Sequence, residues 1–250
     1  MPLLRLALPP SLPSGAFLDD TRRLSLALAE RCGMSVDVVI SRDYDALRQA
    51  VVTGAVDAAL APPFVCAQVQ SHVRVPLQVV RRGHSEVAAA FVVRADPSTR
   101  LVPRALRAAW VDPASVCGHL LPKAWLRVRK VNIERYFVSE AFFGSYAAAL
   151  RAVVAGDADV CGLHVLPGGA AFDDAVTAHA PECAGAVRAL AVTDAVPGDG
   201  VAVSDRGLPL AQALVALPAD LLWAGLRADA LVPAPKDAWA ALSSIASPEL

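Results

Sequence analysis

Two stretches of this chain are built alike and lie about a hundred residues apart, a period too long for a solenoid. One is Asp43-Tyr-Asp-Ala-Leu-Arg-Gln-Ala-Val-Val-Thr-Gly-Ala-Val-Asp57. The other is Gly144-Ser-Tyr-Ala-Ala-Ala-Leu-Arg-Ala-Val-Val-Ala-Gly-Asp-Ala-Asp159. Each reads as a tyrosine, a helix carrying Ala-Leu-Arg, a glycine that ends the helix, and a strand begun by aspartate. The echo predicts two similar α/β lobes, and a cleft between such lobes is a usual place for a ligand. The 250 residues suffice for both.

The segments around the echoes fit. Leu3–Leu8 reads as a strand, Phe17–Arg31 as a helix with Asp19 and Asp20 in its first turn, and Val36–Ile40 as a β-branched strand. Asp43–Thr53 is a second helix, closed by Gly54, and Val56–Ala61 a strand ending at Pro62-Pro63-Phe64. That β-α-β-α-β order argues for a parallel sheet with helices on its faces. Further strands are expected at Val73–Arg81, Val87–Arg94, Ala108–Val111, Ile133–Val138, Asp159–Leu163, Ala189–Val192 and Val201–Val203. Helices are expected at Ala147–Ala155, Leu208–Leu217 and Pro218–Ala228, with a short one near Asp237–Ile245.

Composition narrows the class. Hydrophobic residues make up 55% and charged residues 19%, which supplies a core and argues against disorder. The net charge of −1, with no basic block, gives no sign of nucleic-acid or direct membrane binding. No apolar run is long enough to span a bilayer. The N-terminus is apolar but has no charged n-region and is broken at Pro9 and Pro10, so it reads as a strand rather than a signal peptide. A cytoplasmic location is therefore expected, or a periplasmic or extracellular one if a leader has been trimmed. Cys32, Cys66, Cys117, Cys161 and Cys183 show no metal-ligand spacing and read as free thiols. With no glycine-rich phosphate loop either, no metal site and no cofactor are expected.

The stretch with most chemical content follows Ala108–Val111. A turn at Asp112-Pro113 leads to Ser115, a good N-cap residue, and the N–H groups of Val116, Cys117 and Gly118 would then point out of a helix end. Such an end at the carboxyl end of a strand suits an anion or polar group. The same spacing is also an ordinary capped βα turn, and spacing alone favours that reading. Pro122 implies a short, kinked first turn. Ser115 with His119 could be a nucleophile and base, but nothing in sequence orients His119 and no nucleophile elbow is present, so no catalytic residue is assigned. Glu134 and Glu140 read as solvated. Phe64 and Tyr146 fall at strand and helix ends, where aromatics more often pack than bind. Asp57 and Asp159 begin buried strands and read as capping or pairing locally, with Asp159 the better candidate to face the cleft.

Four segments in order resemble the phosphonate-type substrate-binding proteins of ABC transporters, a branch of the type II periplasmic-binding-protein fold. They are Tyr44-Asp-Ala-Leu with Gly54-Ala-Val-Asp57, Trp110-Val-Asp-Pro-Ala-Ser115-Val-Cys-Gly118-His-Leu-Leu-Pro122, Phe143-Gly-Ser-Tyr146 with Gly156-Asp-Ala-Asp159, and Pro197-Gly-Asp199. The resemblance implies an α/β fold of two lobes, 1–86 with 193–250 and 87–192, joined by crossover strands at Val87–Val93 and Ala189–Val192. With a ligand between the lobes, the strand ends and helix starts that converge there make Pro63 and Phe64 of one lobe and Ser115, Val116, Cys117, Gly118, His119, Gly144, Ser145, Tyr146 and Asp159 of the other the candidate ligand-binding residues. The chain departs from the family at two places. Ser-Thr-Ser-Gly is here Ser115-Val116-Cys117-Gly118, which removes two hydroxyl donors, and Gly-Ser-His is Gly144-Ser145-Tyr146, which removes a candidate cation. A carboxylate or neutral polar group is thus expected over a free phosphonate.

The first functional expectation is a non-catalytic small-molecule-binding protein, an intracellular variant, touching a membrane only through a transporter partner. The second is a cytoplasmic biosynthetic enzyme on the same fold, like those making menaquinone or thiamine precursors. A conventional transport component is the third, since fold alone does not choose between them.

Overall fold

The structure is a computed structural model that describes residues 3–12, 17–96 and 106–245. The expected loop Pro9–Gly15 lies partly outside these. In chain order come β1 (Leu3–Leu8), α1 (Phe17–Cys32), β2 (Ser35–Ile40), α2 (Tyr44–Val52), β3 (Ala58–Ala61), α3 (Pro63–Val69), β4 (Arg74–Val80) and β5 (Glu86–Arg94). Then follow β6 (Leu106–Trp110), α4 (Leu121–Val128), α5 (Ile133–Tyr136), β7 (Phe137–Phe142), α6 (Tyr146–Ala155), β8 (Val160–Val165) and α7 (Phe172–His179). The last are β9 (Val187–Val192), β10 (Val196–Pro197), β11 (Gly200–Val203), α8 (Leu208–Val215), α9 (Ala219–Leu226) and β12 (Ala230–Pro233). The described residues fall into two compact units, one within 3–85 and 197–243, the other within 86–196 with 244–245.

Unit 1 has a sheet of order β12-β4-β11-β3-β1-β2, in which β1 runs parallel to both β2 and β3. Alternation along β1 buries Leu4, Leu6 and Leu8 on one face, where they pack with Leu24 and Leu28 of α1 and with Leu210, Leu214, Leu222 and Leu226 of α8 and α9. The reason α1 buries only one stripe is its spacing, with Leu24 and Leu28 one turn apart. β12, at the sheet edge, is a strand the sequence reading did not anticipate.

Unit 2 has a sheet of order β10-β5-β8-β6-β7, with β9 paired antiparallel to β5. Both segments expected as crossovers are strands of this sheet. β6 runs parallel to β7 and β8. One face carries α6 and α7, with Ala149, Leu150, Val153, Ala175 and Val176 on Ala88, Ala90, Val92, Ala109 and Leu163. The other carries α4 and α5, with Leu126 and Tyr136 packed on Phe91, Trp110 and Val160.

The echo of the sequence is a duplicated joint. In unit 1 the carboxylate of Asp57 accepts from the backbone N–H of Arg5 at 2.8 Å, and its own N–H donates to the Arg5 carbonyl at 2.9 Å. In unit 2 Asp159 does the same with Arg107, at 2.9 and 2.8 Å, and in both units the partners are 52 residues apart. Asp43 and Ser145 cap α2 and α6 by accepting from Ala46 and Ala148, and Gly54 and Gly156 adopt the left-handed backbone that follows each helix, at φ 70° and 85°.

Candidate functional site

Three features of the local sequence build the carboxyl edge of unit 2. After β6, Asp112 accepts from the Ala114 N–H at 2.7 Å and turns the chain, and the buried Ser115 hydroxyl accepts from the Gly118 N–H at 3.1 Å. The helix then starts wide. Leu120 donates to the Ser115 carbonyl at 3.0 Å and Leu121 to that of Val116, which makes Val116–Leu120 a turn of π-helix before α4. Pro122 explains the winding. It has no N–H, so α4 begins around it, and the Gly118 carbonyl instead accepts from the Val111 N–H at 3.3 Å. The expected kink is thus a widened turn, and the helix runs on through Pro122.

Two glycines seat this helix start on the sheet. A Cβ on Gly162 of β8 would lie 2.6 Å from the Cys117 carbonyl oxygen and 3.1 Å from the Gly118 Cα. One on Gly118 would meet Val111 and Ser115 side chains at 2.6–2.7 Å. The third feature is the end of β7. Phe143 donates to the Trp110 carbonyl at 2.8 Å and Gly144 to the Val111 carbonyl at 2.9 Å, with Gly144 at φ 76°. Val111 therefore ties together the starts of two helices that leave the sheet on opposite faces, a switch point of the kind where ligands collect in α/β sheets.

The candidate residues divide on this geometry. Ser115, Val116, Cys117, Gly118, His119, Gly144 and Ser145 come together at the carboxyl edge. The Gly118 N–H, expected to face a ligand, is instead held by Ser115. Cys117 and Val116 turn their side chains inward and are buried. Tyr146 is a core residue, its ring 5.1 Å from His164 and 4.8 Å from His179. Asp159 departs furthest from expectation. It precedes a strand parallel to β6, so it lies at the amino edge, where Arg107 binds it through Nη2 at 2.8 Å and Nε at 3.1 Å. Those bonds, against the opposing effect of burial, hold its carboxyl below the usual range. In unit 1, Pro63 and the buried Phe64 open α3 at the carboxyl end of β3.

Sequence reasoning missed a polar chain beside the helix start. Glu140, though exposed, is paired: its carboxylate accepts from the Trp110 indole N–H at 2.6 Å and from Lys123 at 2.8 and 3.0 Å. Burial raises its pKa, but those donors outweigh burial and hold it low. His119 turns Nδ1 to the Pro113 carbonyl at 2.9 Å and packs its ring 5.0 Å from Phe142; burial lowers its pKa. The only sequence signal for the chain was helical spacing, His119 and Lys123 one turn apart.

Elsewhere, Arg81 pairs with Asp199 at 2.8 Å at the carboxyl edge of unit 1. An open concavity of about 330 Å³ at that unit's amino edge is lined by Arg5, Asp57 and Arg206, but Arg206 is bound to Asp57 at 3.3 Å. Among the described residues no three His, Cys, Asp or Glu side chains are grouped to hold a metal, and no helix is long and apolar enough to cross a membrane. Burial raises the thiol pKa of Cys32, Cys66, Cys161 and Cys183.

The family model for the phosphonate periplasmic substrate-binding protein of ABC transporters matches residues 6–226. The chain belongs to this family. No protein of curated function matches it in sequence. Among solved structures, PhnD1 from Prochlorococcus marinus in complex with methylphosphonate superposes with a TM-score of 0.79 at 17% identity, covering 97% of this chain and 96% of that one. A binding protein of a Pseudomonas aeruginosa ABC phosphonate transporter gives 0.77 at 15% identity, covering 98% and 85%. A Xanthomonas citri protein bound to ATP gives 0.78 at 17%, covering 98% and 96%. The fold is therefore that of the type II periplasmic binding proteins. In this phosphonate-type member the helix start after β6 reads Ser115-Val116-Cys117-Gly118, and the hydroxyls of Ser115 and Ser145 each cap their own helix.

Proposed function

We propose that this phosphonate-type binding protein captures a small organic acid, a carboxylate in preference to a phosphonate, at the carboxyl edge of unit 2. The observation that carries the reading is the Val111 junction, where two serine-capped helix starts open side by side from one strand end. Helix N-termini favour negative charge by their aligned peptide dipoles and unpaired N–H groups. What the edge lacks sets the preference. A dianionic phosphonate calls for many donors, and here Ser115 and Ser145 are spent in caps, Val116 offers none and Cys117 a weak one. Lys123, the nearest cation along the helix, is neutralised by Glu140.

Titration calorimetry against short-chain carboxylates and alkylphosphonates tests this. Carboxylates should bind the more tightly; tight binding of methylphosphonate with carboxylates inert would overturn the preference. The family acts in the periplasm, whereas the N-terminal residues led to a cytoplasmic expectation. Fractionation of cells carrying the full-length protein distinguishes the two.

A further inference from the structure

The outer edge of β7 is exposed, apolar and bordered by positive charge. Among the described residues β7 pairs only with β6, so its outer N–H and C=O groups face no strand. A bulge at Val138 is the one irregularity; Ser139–Phe142 continues in regular register. Val138 is 63% exposed, Phe142 49% and Phe143 37%. Natural edge strands are usually shielded by a charge, a proline or a cover. The single charge on β7, Glu140, is engaged by Lys123 and Trp110.

The helix beside this edge runs in register with it. His119 meets Phe142, and Lys123, one turn on, meets Glu140. A further turn of about 6 Å carries Arg127 along the helix toward the start of β7. Arg129, Lys130 and Arg135 follow in the same corner, where α4 ends and α5 leads into β7. None of Arg127, Arg129, Lys130 and Arg135 has an ion-pair partner among the described residues; Arg129 lies 3.6 Å above the Trp125 ring. With Glu134 the one carboxylate from Arg127 to Phe137, this corner sets four cations against one anion on a chain whose net charge is −1.

We infer that the free edge of β7 docks an extended acidic segment of a partner protein, which joins the sheet as an added strand. Main-chain hydrogen bonds would supply affinity, and the alternation of the incoming side chains specificity. Acidic residues fall beside Arg127 and Arg135, apolar ones beside Phe142 and Phe143. Charge complementarity selects this occupant over a second copy, because the only carboxylate on β7 is already held by Lys123.

The test uses the whole protein and a labelled octapeptide of alternating glutamate and valine ending in phenylalanine. Fluorescence anisotropy should show binding that weakens with salt, and the β7 amides should gain hydrogen-exchange protection. Arg127→Glu with Arg135→Glu should weaken it by about tenfold or more while leaving the circular dichroism unchanged. A lysine-for-glutamate peptide should not bind. Equal binding of the lysine peptide, indifference to the two reversals, or a dimer of the free protein with β7 amides already protected would each overturn the inference. None of these outcomes bears on the solute at the helix starts, which calorimetry reads separately.

Discussion

Single residues at the helix start divide into those whose role is local and those whose role depends on distant partners. Ser115 and Ser145 act within their own turns, so their capping was legible from the sequence; Ser145→Ala should cost about 1 kcal/mol in a urea melt. Gly162 is the opposite case. Its closeness to the Cys117 carbonyl joins segments far apart in the chain, and nothing in the local pattern marks it. Because the obstacle is backbone, Gly162→Ala should destabilise by about 1–3 kcal/mol, whereas a change below about 0.5 kcal/mol would show that the helix start is loosely seated. The partners of Tyr146, Glu140 and Asp159 were illegible for the same reason: His179, Trp110 and Arg107 lie far away in sequence.

Elements were legible where periodicity was strong and obscure where chemistry overrode it. Ile133–Val138 reads as a continuous strand by its apolar residues, but the Asn132 side chain accepts from Arg135 N–H and caps one turn of helix before β7 begins. α7 was missed because its start has neither a capping side chain nor the proline that marks α8 and α9. The duplicated joints make a paired prediction. Asp57→Ala and Asp159→Ala each remove a charged acceptor from a neighbouring strand's N–H, at about 1.5–3 kcal/mol. The Asp57 side chain is 9% exposed against 28% for Asp159, so its loss should cost more. Parallel urea denaturation of the two variants measures the difference; equal, negligible losses would mean that the echo carries no structural load.

For the molecule as a whole, two acid–base properties and one binding property follow. Burial pushes His179 down to about 4, with Nε2 unpartnered beside the rings of Tyr146 and His164. A histidine ordinarily titrates near 6.5, so the unfolded chain binds the proton first. The stability this group contributes is complete above about pH 6.5 and is lost as pH falls toward about 4, by up to about 3 kcal/mol at about 1.4 kcal/mol per unit. Thermal melts across that range should show the decline, and His179→Phe should flatten it; an unchanged slope in the variant would assign the acid sensitivity elsewhere. Glu140 and Asp159, held low by their donors, add losses only below the usual carboxylate range. The central claim, that solute binds at the paired helix starts of unit 2, is tested most directly by amide chemical-shift mapping during titration with the tightest-binding carboxylate. The amides of Val116–His119 and of Gly144–Tyr146 should move most. Silence there, with the shifts gathered instead around Arg107 and Asp159 at the amino edge, would contradict it.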